Sequence, residues 1–113
     1  MIESYSFGRM VVDGTTYTRD LIVFPDGRVL DSWWRRSGHR LCRDDLAELI
    51  SARPAVVVAG TGAFGLMHPE SGLAEQLRAE GITLKTARTA EAIHIFNEEA
   101  ARAVAGACFH LTC

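Results

Sequence analysis

Over the first third of the chain, apolar residues come in short β-like bursts broken by turns, and from Cys42 onward they recur at helical spacing between short apolar runs. Phe7 to Val12 is rich in strand-forming residues and ends at Asp13-Gly14, a hairpin-type turn signal. Tyr17 starts a short return strand. Leu21-Ile22-Val23-Phe24 is a continuous apolar run closed by Pro25-Asp26-Gly27, where proline presets φ and glycine admits positive φ. Val29 to Trp34 reads as the partner strand, so residues 5–41 are expected to form an antiparallel meander.

Asp44 and Asp45 sit where a helix N-terminus favours negative charge, Leu46, Leu49 and Ile50 follow at helical spacing, and Pro54 marks the stop. Ala55-Val56-Val57-Val58-Ala59 does not alternate, which suits a strand covered on both faces. Pro69 is expected as the first residue of the next helix, where its missing N–H costs nothing. Leu73, Ala74 and Leu77 form that helix's apolar stripe, with Gly81 as its C′ residue. Ile82 to Thr86 reads as a strand. Thr89 is expected to cap a helix that carries Glu91 in its first turn and buries Ile93, Phe96 and Ala100. Val104 to Leu111 is the last strand. The order implies one α/β domain over residues 1–113, with three layers and a mixed central sheet. Helices are expected on one side of it, with an N-terminal β-hairpin or meander extension. The strands within 55–86 should pair in parallel, because a helical crossover joins them.

Composition narrows the class. A chain of 113 residues, 48% hydrophobic and 23% charged, has the usual globular mix. It is long enough to bury roughly two-thirds of its unfolded surface around one core. No apolar run approaches the ~18 residues of a membrane span. Met1 to Tyr5 shows neither the basic nor the apolar region of a signal peptide, so a cytoplasmic location is expected. The net charge of −2 offers no general attraction to nucleic acid or an anionic membrane. Cys42, Cys108 and Cys113 contain no C-x-x-C pair, which fits free thiols better than a disulfide framework.

Four features carry candidate chemistry. Gly60-Thr61-Gly62-Ala63-Phe64-Gly65 matches G-x-G-x-x-G directly after a strand, the pattern that cradles a dinucleotide pyrophosphate. Pro69 places the following helix too late for the third glycine, however, and the second strand ends in Lys85 and Arg88 where an acid should hold the ribose. The bland reading is a tight turn; the intermediate one is a loop for some other anion or small ligand. Second, loops after adjacent parallel strands share one sheet edge, so Gly60, Thr61, Gly62, Arg88, Thr89 and Glu91 can line one pocket. Helix capping by Thr89, with Glu91 favoured by the dipole, explains the last two without a ligand. Third, Trp33, Trp34, Arg35, Arg36 and His39 form an aromatic and basic segment suited to a protein interface. Nucleic acid is disfavoured because no wider basic field supports it. Fourth, Cys108, His110 and Cys113 are zinc-type residues, but on a strand Cys108 and His110 share one face and Cys113 the other. Neither a metal nor a cofactor is expected. No serine-hydrolase, P-loop or H-E-x-x-H pattern occurs.

The chain also resembles the small Mth-type domain family of unknown function, whose better-known members are an adipogenesis-associated protein and a mitochondrial respiratory complex I assembly factor. The resemblance runs through Tyr5-x-Phe7-Gly8, Tyr17-x-x-Asp20, Pro25-Asp26-Gly27, Trp34 and His39. It continues through Gly60-Thr61-Gly62, Gly81-Ile82, Thr89-x-Glu91-Ala92, Asn97 and His110-Leu111-Thr112-Cys113. It implies a three-layer α/β fold with a hairpin extension and no established catalytic residue or cofactor. Together these readings give an expected non-enzymatic interaction or assembly module with an unidentified protein partner. The alternative is a small-molecule or anion-binding domain, enzymatic or not, built on the Gly60–Gly62 loop and the Thr89 helix N-terminus.

Overall fold

The computed structural model describes residues 1–113. In chain order the strands β1 (Ile2–Ser6), β2 (Arg9–Val12) and β3 (Thr15–Tyr17) precede β4 (Leu21–Val23), β5 (Val29–Leu30) and β6 (Arg40–Leu41). A 3-10 turn at Arg43–Leu46 leads into α1 (Ala47–Ser51), then β7 (Val56–Thr61), β8 (His68–Pro69) and α2 (Leu73–Ala79). The chain continues through β9 (Thr83–Ala87), α3 (Thr89–Ala100) and β10 (Ala105–His110).

The central sheet has the order β5-β4-β10-β7-β9 and is mixed. β7 pairs in parallel with β10 and with β9, whereas β4 runs antiparallel to β10 and to β5. The parallel pairing across 55–86 is therefore as expected. The non-alternating run of β7 is buried throughout. Its Val56 and Val58 enter one core with Phe109, while Val57 and Ala59 enter another with Cys108. Each fully buried aliphatic or aromatic side chain of this kind stabilises the fold by roughly 1.5–3 kcal/mol.

Both faces of the sheet are covered, which corrects the expectation of helices on one side. α3 lies on the first core through Ala92, Ile93 and Phe96, alongside Ile2, Met10 and Val12 of the N-terminal sheet. α1 and α2 lie on the second through Leu49, Leu73 and Leu77. The reason is in β7 and β10, which present apolar side chains alternately to both faces and so need a cover on each.

The meander expected over residues 5–41 is shorter than that. Only β1, β2 and β3 form an antiparallel three-stranded sheet. Leu21, Ile22, Val23 and Phe24 are all buried, so this stretch sits inside the main sheet beside β10. The strand expected from Val29 to Trp34 stops at Leu30, because Ser32 takes a left-handed φ of 60° and turns Trp33 into the second core. Asn97 ties α3 to the N-terminal sheet: its Oδ1 accepts the Ile2 N–H at 3.0 Å and its Nδ2 donates to the Ile2 carbonyl at 2.9 Å.

Pro69 does not open a helix. His68 and Pro69 are extended and pair in parallel with Arg40 and Leu41, and α2 begins only after Gly72, φ 87°. A residue before proline is pushed toward extended backbone, which favours this local pairing over a helical turn. The other end of α2 is as expected. Gly81, φ 81°, follows the last turn, with its N–H bonded to the Arg78 carbonyl and the Ile82 N–H to the Leu77 carbonyl, a Schellman closure.

Candidate functional site

β7, β9 and β10 run in parallel, so the segments that follow them gather at one end of the sheet. Gly60 and Thr61 end β7, and Gly62 turns away with φ 102°. The structure does bring Gly60, Thr61, Gly62, Arg88 and Thr89 together. A side chain on Gly60 would reach within 2.6 Å of Phe109 and 2.9 Å of the Thr89 hydroxyl, so glycine there admits the close packing of α3. Thr61 Oγ1 donates to the Ala87 carbonyl at 3.1 Å. The Arg88 side chain lies over Gly65, and Glu91 is exposed on the first turn of α3.

Several amides of this junction are spent inside the chain. The Gly62 N–H donates to Thr89 Oγ1 at 2.9 Å, and that hydroxyl donates onward to the His110 carbonyl at 2.7 Å. The Ala63, Leu66 and Met67 N–H groups bond the carbonyls of Thr112, Cys113 and Thr61, and the Thr89 N–H bonds that of Gly62. Thr89 is fully buried and is the first helical residue, with Arg88 at the cap position, so it does not cap α3 as expected. Its hydroxyl is worth more as the tie between β7 and β10 than as a cap. An anion cradle needs free amides, and those of Gly62, Ala63, Leu66 and Met67 are already bonded.

The aromatic and basic segment divides sharply. Trp33 is buried and donates its indole N–H to the Asp45 carbonyl at 2.9 Å, while Trp34 is 85% exposed. Arg35 is also buried, its side chain 6% exposed, whereas Arg36 and His39 are at the surface. Trp33 and Arg35 thus serve as anchors and leave Trp34, Arg36 and His39 available from the expected interface set.

Arg35 belongs to a largely buried charge cluster with Asp20 and His110. Its Nη1 donates to Asp20 Oδ2 at 2.8 Å, and its Nε and Nη2 both donate to the Gly38 carbonyl. His110 Nδ1 lies 2.7 Å from the same Oδ2, and the Leu111 N–H donates to Oδ1 at 2.8 Å. Arg35 Nη2 lies 3.2 Å from the same Nδ1, so this nitrogen sits between a guanidinium and a carboxylate. Burial works to raise the Asp20 pKa, but the bonds from His110, the Leu111 amide and Arg35 outweigh it and hold the carboxyl below its ordinary value. His110 Nε2 is left buried without a hydrogen-bond partner. The His39 ring meets the His110 ring edge-on at 5.6 Å.

Sequence reasoning missed Asp20 as a cluster member. Its only local signal is a lone acid directly before an apolar strand. Cys108 is fully buried, and that burial pushes its thiol up to about 12, so it is an unreactive core group. No three His, Cys, Asp or Glu side chains converge as a metal site. No helix is long and apolar enough to cross a membrane.

The fold and this end of the sheet define a three-layer α/β domain whose parallel strands finish in an internally bonded glycine junction beside a buried Asp–Arg–His cluster. The chain belongs to the family described as "Protein of unknown function (DUF498/DUF598)", whose model matches residues 2–109. Among solved structures it is similar to the conserved hypothetical protein PH1505 from Pyrococcus horikoshii, with 24% identity, a TM-score of 0.83, and coverage of 100% of this chain and 99% of that one. It is similar to MT938 at 26% identity and a TM-score of 0.81, covering 100% of this chain and 98% of that one. A Bordetella pertussis protein described as a Mth938-like domain follows at 17% identity and a TM-score of 0.68, covering 97% of this chain and 84% of that one. The Mth-type resemblance of the sequence is thereby shown, together with the α/β fold and its N-terminal hairpin sheet. The family carries no established function.

Proposed function

We propose that this domain is a non-enzymatic protein-interaction or assembly module of the cytoplasm, docking through the Trp34 side of the sheet's carboxyl end. One observation carries the reading: Trp34 is 85% exposed although both its sequence neighbours are buried anchors. Tryptophan is enriched among residues that dominate interface energies. Phe7, Phe64 and Leu66 are also exposed, at 57%, 61% and 48%, with the two phenyl rings 6.2 Å apart. The Thr112 carbonyl accepts the Ala63 N–H, and Thr112 also borders the groove beside Trp34. Exposed aromatic groups of this kind suit a protein partner.

The test is affinity capture of the tagged full chain from its native cells at low salt, with Trp34→Ala in parallel. Wild type recovers a stoichiometric partner, and the variant, folded by circular dichroism, recovers it at least about tenfold less well. Equal recovery by both, or no stoichiometric partner at low salt, overturns the reading.

A further inference from the structure

Trp34 also forms one wall of an open groove of about 640 Å³, bordered by Thr18, Arg19, Ser32, Arg35 and Thr112. That volume lies within the range of small-molecule clefts. Three charged side chains border it, Arg19, Asp20 and Arg35. Asp20 and Arg35 neutralise each other at 2.8 Å, and the second Asp20 oxygen holds the Leu111 amide. Arg19 remains as an uncompensated cation. Its only polar contact is a long one, Nη1 to the Ser32 hydroxyl at 3.3 Å. Ser32 is held there in left-handed backbone, φ 60°, a conformation that costs a non-glycine residue free energy. The groove therefore offers a flat aromatic face, one unpaired guanidinium and the hydroxyls of Thr18, Ser32 and Thr112.

We infer that this groove binds a small anion carrying a flat ring, either an aromatic carboxylate or a nucleotide. The ring stacks on Trp34 and the anionic group exchanges the weak Ser32 contact of Arg19 for a charge-assisted bond. The site is separate from the glycine junction, whose Gly62, Ala63, Leu66 and Met67 amides are bonded internally, and it does not rest on the interaction reading. Trp34 is common to both, so Arg19 decides this one.

Trp33 and Trp34 are the chain's 2 tryptophans, and both border the groove, so intrinsic fluorescence of the isolated full chain reports on it. The probes are adenosine monophosphate and benzoate, with adenosine and benzyl alcohol as their uncharged counterparts. At least one of the two anions should change the emission saturably at millimolar concentration or below. Its uncharged counterpart should bind at least about tenfold more weakly. Arg19→Gln should weaken the anion by a similar factor at unchanged thermal midpoint, with Arg19→Lys recovering part of it. Which anion binds distinguishes a phosphate from a carboxylate source. No saturable change with either anion, equal binding of the uncharged counterpart, or unchanged affinity in Arg19→Gln overturns the inference.

Discussion

Two regions meet at the carboxyl end of the central sheet, and they are held in place by different means. Around Gly62 the chain is fastened at its backbone groups, by the Thr89 hydroxyl and the carbonyls of Thr112 and Cys113. Around Trp34 it is fastened by buried side chains, Arg35 on Asp20 and Trp33 on the Asp45 carbonyl. The first arrangement consumes the Gly62 and Ala63 amides. The second keeps its charges inside and leaves Trp34 and Arg19 facing outward. A glycine-rich loop at a strand end is thus a poor guide to a binding site until its N–H groups are accounted for.

The largest effect expected is on the Trp34 side. Asp20→Ala leaves Arg35 and His110 facing each other without their carboxylate, so it should cost about 3–5 kcal/mol, measured as a fall in the urea midpoint at constant slope. A loss below about 1 kcal/mol would mean that the cluster does not hold this region. Next comes the glycine side. A Cβ on Gly62 would sit 2.6 Å from the Cys113 carbonyl carbon at φ 102°. Gly62→Ala should therefore cost roughly 2–3 kcal/mol in the same titration, and a tolerated alanine would show that the junction is looser than described.

Thr89→Val keeps the shape of the junction and removes its hydroxyl. The Gly62 N–H and the His110 carbonyl then lose their partner at a cost of roughly 1–2 kcal/mol. A smaller and pH-dependent effect belongs to neither region and calibrates both. Glu99, with its side chain 7% exposed, is held down to about 2 by hydrogen bonds from Arg102 and Lys85, from an ordinary value of 4.5. Its ionised form stabilises the fold fully above the ordinary value, and that contribution disappears as the pH falls through about 2. Glu99→Gln should lower the thermal midpoint at neutral pH and converge on wild type in acid; a constant gap across that range would contradict the assignment. Smallest of all, Trp34→Ala and Arg88→Ala should leave stability within about 0.5 kcal/mol, because neither side chain is buried.

How much of this was legible follows from how local each feature is. The strand at Val56–Thr61 and the closure at Gly81 are readable because an unbroken valine run and a glycine after a helix act over a few residues. Pro69 misleads because an equally local rule, the extended preference of the residue before proline, competes with its place at a helix start. The split of the expected meander depends on β4 finding β10, its partner from the far end of the chain. The Asp20 cluster is as non-local, joining residues 90 positions apart. Nor does any local rule say which of two adjacent tryptophans turns inward. The left-handed backbone at Ser32 decides it.

The most direct test is a backbone amide and indole correlation spectrum of the labelled chain, recorded alone and with the partner recovered by capture. The account predicts that the shifts which move centre on the Trp34 indole, Arg36 and His39, while the Gly62 and Ala63 amides stay in place. Shifts centred on Gly60 to Gly65 and Arg88, with the Trp34 indole unmoved, would contradict it.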